Sequence, residues 1–182
     1  KRVPVTVAFN VSGQEIGFKV GSYDARRPLT IDPTYAWHTF YGLTCKDYGE
    51  GIAVDSNGNV YVTGYGETSW GSALHGFSGG NDLFVLKLNS NGQYQWHTFY
   101  GSSGSDKGRG IAIDSNNNVY VTGTSESAWG SPLHNHSGTY DTFILKLNGN
   151  GEYQWHTFYG SSSYDENASI AIDGSDNIYV SG

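Results

Sequence analysis

Three observations predict an all-β chain of tandem four-stranded antiparallel units. A six-residue stretch, Trp-His-Thr-Phe-Tyr-Gly, stands at residues 37–42, 96–101 and 155–160, so the repeat is 59 residues long (96 − 37 and 155 − 96). About two thirds of the 59 positions are identical between the first two copies, among them Asp55/Asp114, Trp70/Trp129, His75/His134 and Lys87/Lys146. The composition suits a turn-rich sheet protein, with 26 glycines in 182 residues, 15% aromatic and only 15% charged. Four short alternating segments fill each period, and such a unit repeated head to tail is the pattern of a β-propeller blade. A β-helix would need shorter coils, and a sandwich would not need the 59-residue regularity. The fold class is therefore all-β and β-propeller-type, with an incomplete ring.

Residues 1–35 precede the repeats. Val3-Pro4-Val5-Thr6-Val7-Ala8-Phe9 alternates as a strand, and Glu15-Ile16-Gly17-Phe18-Lys19-Val20 reads as a second, with Ser12-Gly13-Gln14 turning between them. Residues 23–33 form a connector closed by Pro33, which cannot continue a central strand. The repeats occupy 36–182, beginning with a lone outer strand at 36–42. A blade at 51–101 follows, built in four strands. Gly51-Ile52-Ala53-Val54-Asp55 is small enough for a crowded axis, and Ser56-Asn57-Gly58 is a hairpin turn in which Asn-Gly supplies positive φ. Asn59-Val60-Tyr61-Val62-Thr63-Gly64 returns, a long loop spans 65–81, and residues 82–88 and 93–100 give the third strand and an aromatic fourth strand at the rim. The second blade runs over 110–160, and a half blade of two strands covers 169–182.

The units Gly-Ile-Ala-Val-Asp-Ser-Asn-Gly-Asn-Val-Tyr-Val-Thr-Gly (51–64), Asp-Leu-Phe-Val-Leu-Lys-Leu-Asn (82–89) and Trp-His-Thr-Phe-Tyr-Gly resemble the SBBP-type β-propeller repeat of bacterial and archaeal surface proteins. The pattern Phe18-x-Val20-x-x-Tyr23-Asp24-x-x-x-Pro28-Leu29-x-Ile31-Asp32-Pro33 resembles the segment that commonly precedes such repeats. Family members often carry Ser-Thr-Tyr-Leu-Gly-Gly where this chain has His-Thr-Phe-Tyr-Gly. The resemblance implies an exported, extracellular or cell-surface location and brings no catalytic motif with it.

Composition narrows the function classes. The net charge of −7, without a basic run, argues against nucleic acid and anionic lipid. No 18-residue apolar stretch exists to span a membrane as a helix. Cys45 is the single cysteine and reads as an unpaired loop thiol. There is no methionine, so Lys1 is not a translation start and the chain reads as a processed product or an excerpt.

A nucleophile needs a base and an orienting group that converge on it. The repeated histidines His38, His97 and His156 sit on outer strands, whose equivalent positions diverge, so no active site is expected. For a cofactor the candidate is calcium. Asp55-x-Asn57-x-Asn59 and Asp114-x-Asn116-x-Asn118 begin like oxygen-ligand loops, although Val60 and Val119 stand where such a loop wants Gly and no Glu closes it. The same residues also read as hairpin turns in which Asp and Asn bond their own backbone. In the long loops, Trp70, His75, Trp129 and His134 could stack on a sugar ring in two copies; alternatively the tryptophans plug the seam between blades. Sequons stand at Asn10, Asn135 and Asn167.

The alternative is a glycan-binding adhesion module working through the loops of Trp70 and Trp129.

Overall fold

The computed structural model describes residues 7–12, 15–22, 24, 26, 37–166 and 169–182. The chain divides into two compact units, Lys1–Ala36 and Trp37–Gly182. In the first, β1 (Val7–Ser12) and β2 (Glu15–Val20) pair as an antiparallel hairpin, with Val7 opposite Val20 and Ser12 opposite Glu15. The expected strand residues Val3 to Thr6 and the turn residues Gly13 and Gln14 lie outside the described residues.

The second unit contains two four-stranded antiparallel sheets and one two-stranded sheet. The first blade is β3 (Asp47–Val54), β4 (Val60–Gly66), β5 (Asp82–Leu88) and β6 (Tyr94–Tyr100), paired in chain order. The second is β7 (Asp106–Ile113), β8 (Val119–Ser125), β9 (Asp141–Leu147) and β10 (Tyr153–Tyr159). A third begins with β11 (Ser169–Ile172) and β12 (Ile178–Ser181), and the sheets are not closed into a ring. Each first strand starts earlier than the sequence suggests, at Asp47 and Asp106. A bulge between Gly49 and Gly51, repeated between Gly108 and Gly110, lets the strand bend while it keeps pairing. Gly64 and Gly123 lie opposite these bends, where an added Cβ would collide with the carbonyl oxygens of Tyr48 and Lys107.

Alternation gives each blade two apolar faces. Ile52, Val54, Val60, Val62, Phe84 and Leu86 point to one side, the front; Ala53, Tyr61, Leu83, Val85, Trp96 and Tyr100 point to the back. The back of the first blade and the front of the second form one core, with Leu83, Val85, Val119, Val121, Phe143 and Leu145 all fully buried. Full burial of each such side chain stabilises by roughly 1.5–3 kcal/mol. Near the axis the first strands run side by side, β3 along β7 and β7 along β11. A Cβ on Gly51 would stand 3.3 Å from Ile111 Cγ2, and one on Gly110 would stand 3.1 Å from Ile170 Cγ2. Because the repeats share a sequence, each carries both halves of the same junction.

The two ends of the array lack this cover. Ile52 on the front of the first blade is 68% exposed, whereas its counterpart Ile111 is 8% exposed. At the other end Tyr159 is 54% exposed where Tyr100 is 7%. The expected outer strand at 36–42 is corrected by the structure: residues 37–42 form no strand, since no third strand lies beside them to offer an edge. Their aromatic side chains dock nonetheless. Trp37 Nε1 donates to the Ser90 carbonyl at 3.0 Å, as Trp96 Nε1 donates to that of Gly149 at 3.4 Å. Tyr41 lies 6.1 Å from the rings of both Trp70 and Tyr94, as Tyr100 lies 6.0 Å from Trp129 and Tyr153. The stretch therefore seats where the outer strand of a neighbouring blade seats.

Candidate functional site

The three Asp turns are built alike. The Asp55 carboxylate accepts the backbone N–H groups of Asn57 and Asn59 (2.9 Å each), the Asn59 amide (2.8 Å) and the Tyr61 hydroxyl (3.1 Å). Asp114 repeats this set with Asn116, Asn118 and Tyr120, and Asp173 repeats it with Ser175, Asn177 and Tyr179. Burial by itself would raise the Asp55 and Asp114 carboxyls, but the four hydrogen bonds outweigh it and hold both below the ordinary value. Exposed Asp173 is brought down to about 2, chiefly by the Asn177 side chain. Gly58, Asn117 and Asp176 take the positive φ of the turn. Asn59 and Asn118 thus turn amide N–H groups toward the carboxylate, whereas a hard cation needs their oxygens. Among the described residues no three His, Cys, Asp or Glu side chains converge as a metal cluster.

Trp70 and Trp129 do not serve as platforms for a ligand, because each is almost fully buried on the front of its own blade. Trp70 stacks on His97 with ring centroids 3.9 Å apart, and Trp129 stacks on His156 at 3.8 Å. The reading in which the tryptophans belong to the core is the one that fits. Neither indole N–H has a partner, so each tryptophan acts here through its ring area. His97 Nε2 donates to the Trp70 carbonyl at 2.7 Å, and Nδ1 accepts from the Tyr94 hydroxyl at 2.9 Å. His156 is held identically by Trp129 and Tyr153. Burial pushes both imidazoles down, only partly offset by the carbonyl bond, which favours the neutral tautomer that this geometry requires. The sequence places these histidines on an outer rim; the structure keeps them in separate blades but buries them.

His75 and His134 remain solvent-exposed in their loops. His75 Nδ1 donates to the Phe99 carbonyl at 2.8 Å, and its ring stacks on Tyr100 at 4.6 Å. Beside them the loop backbone pairs with the outer strand: Leu74 N–H bonds the His97 carbonyl at 2.9 Å, and Phe99 N–H bonds the His75 carbonyl at 3.1 Å. Leu133 and His134 repeat these bonds with His156 and Phe158. Each complete blade thus covers its own outer edge, so the open edges expected from the sequence are not found on β6 and β10. Strand β12, with β11 on one side and no strand on the other, keeps an edge.

A pair of carboxylates at the blade junction is missed by the sequence reading, though its signal is the same 59-residue spacing (Asp82/Asp141 and Asp106/Asp165). Asp82 and Asp106 are fully buried on either side of Gly101, where a Cβ would lie 2.7 Å from Asp82 Oδ1 and 2.9 Å from Asp106 Oδ2. Asp82 accepts the Ser78 N–H at 2.5 Å on Oδ2, while its Oδ1 has no partner. Burial first, and then the charge of Asp106, pushes the Asp82 carboxyl up to about 6. Asp106 is also raised by burial, against the bonds it accepts from Ser102 and Ser125.

Of the sequons, Asn135 is exposed in its loop, Asn10 lies in β1, and Asn167 lies outside the described residues. Cys45 is an exposed free thiol.

Comparison with known proteins agrees with the architecture. A family model for the SBBP β-propeller repeat matches residues 37–67 and 95–128, and one for a domain of unknown function, DUF7948, matches residues 1–34. An uncharacterized WD repeat-containing protein, L264, of Acanthamoeba polyphaga mimivirus is 25% identical over 189 residues, covering 85% of this chain. The chain spans 14% of that relative's length.

Proposed function

We propose that this chain, which carries repeats of the SBBP β-propeller family behind a DUF7948 segment, is a non-enzymatic structural protein of the cell exterior, built into a layer, stalk or filament. One observation carries the reading: the array leaves uncovered both halves of its own internal junction. The front of the first blade exposes Ile52 and Val54, and the far end exposes Tyr159, at positions that the internal junction buries. Apolar surface of this kind favours contact with a complementary surface. Two different surfaces that fit one another give head-to-tail contacts, which close as rings or run on as filaments. The low charge and the self-covered outer edges suit a durable assembly, and exposed Asn135 would tolerate a glycan on an exported chain.

Sedimentation over a range of concentrations, followed by negative-stain electron microscopy, tests the reading. Species that grow with concentration into rings or filaments of constant axial repeat are expected. A chain that stays monomeric throughout would overturn self-assembly as its function.

A further inference from the structure

We propose that the third blade holds a strand-acceptor cleft that takes an extended segment of the β5/β9 type from another chain bearing the same repeat. Only the source of that strand rests on the assembly reading above; the cleft itself rests on the following geometry.

Between the back of the second blade and the front of β12 lies a cleft of about 670 Å³, lined by Thr142, Ile144, Tyr159, Ile178 and Val180 among others. At the junction of the first two blades the equivalent walls are Leu83, Val85 and Tyr100 on one side and Val119 and Val121 on the other, and all are buried. There the space is filled by β9, whose Phe143 and Leu145 lie in the same core as those walls. The β9 backbone pairs along β8, Val119 opposite Leu147 and Val121 opposite Leu145. In the third blade β12 is the equivalent of β8, and no strand stands on its outer side. Val180 is accordingly 38% exposed where Val121 is fully buried.

The cleft thus offers a backbone edge and an apolar wall in the spacing that β5 and β9 fill elsewhere in the molecule. An added strand would gain ladder hydrogen bonds from the edge and specificity from alternate side chains inserted into the wall. Its chemistry follows from the occupants of the complete blades: an extended segment with Phe and Leu at alternate positions, as in Asp-Thr-Phe-Ile-Leu-Lys-Leu. A segment with those residues shifted by one would turn its polar side into the cleft.

The experiment uses the whole chain and a fluorescent synthetic peptide of residues 140–148, read by anisotropy. A second peptide of the same composition has residues 142/143, 144/145 and 146/147 exchanged pairwise, which moves the Phe and Leu side chains to the other face. Saturable binding at least roughly tenfold tighter for the native order is expected. Val180→Lys should weaken it by a similar factor while tryptophan emission stays unchanged. No binding of the native peptide, or equal binding of both peptides, overturns the cleft without depending on any variant of the protein. Sedimentation with saturating peptide then tests the source. Loss of assembled species identifies the copies as strand donors, whereas assembly that persists unchanged overturns them as donors. Peptide binding to a chain that never assembles would overturn the structural function and leave the cleft standing.

Discussion

Asp82 is fully buried with one oxygen lacking a partner, and Asp106 brings a second negative charge to the same corner. Its folded-state carboxyl is raised to about 6, above its unfolded value of 3.8, so the native state takes up the proton first. The resulting cost is fully present above pH 6 and is relieved as the pH falls through that value. Asp82→Asn removes the charge and keeps an oxygen for the Ser78 N–H. We expect it to stabilise the chain by roughly 1–3 kcal/mol at pH 8 and by almost nothing at pH 5, measured by urea unfolding at both values. A gain that is equal at the two pH values would mean that the charge is not the cause. Trp129→Ala should cost about 3–5 kcal/mol in the same assay, because it leaves a cavity beside His156, Phe143 and Phe158. The role of these tryptophans was not legible locally: a Trp in a Gly- and Ser-rich loop suits a binding surface as well as a core. What decides it is His97 or His156, 27 residues further on. The paired carboxylates were hidden for a related reason, since Asp82 and Asp106 belong to different blades and meet only across a junction.

Strands and turns were the most legible elements. Alternation fixed the positions of β4, β5, β8 and β9, and Asn-Gly fixed the hairpins, because both signals arise within a few residues. The early starts of β3 and β7 were missed, since Asp47-Tyr48-Gly49-Glu50 shows no alternation and the pairing there runs through a bulge. Covering of the outer edge was missed as well, for it depends on two backbone hydrogen bonds that no side chain announces. The Asp turns could be read as cation loops or as hairpins, and their donors can be tested directly. Asp114→Ala should cost about 1–3 kcal/mol by leaving two backbone N–H groups, an amide and a hydroxyl without their acceptor. Calcium or excess chelator should leave the melting temperature of the unmodified chain unchanged. A rise of several degrees with calcium would identify the turns as cation sites.

Across the repeat unit as a whole, stability is a sum of blade terms and junction terms, and it is spread unevenly. Strand β8 is buried along its entire length, while β12 lies at an edge with half its blade absent. Amide hydrogen exchange should therefore be slowest in β8 and fastest in β11 and β12, with β4 between them. Uniform protection over the three sheets would show that the array unfolds as one cooperative body and that its open ends weaken nothing.

The edge-covering loops bear on how such a chain comes to exist. Since each 59-residue unit seals its outer strand with its own residues, a tandem duplication adds a whole blade without laying bare a new sticky ladder. The plug and socket faces are copied together with it, so every added unit arrives already matched to its neighbours. Gain or loss of whole units is thereby a small structural event, and the near-identity of the first two copies is the mark that such an event would leave.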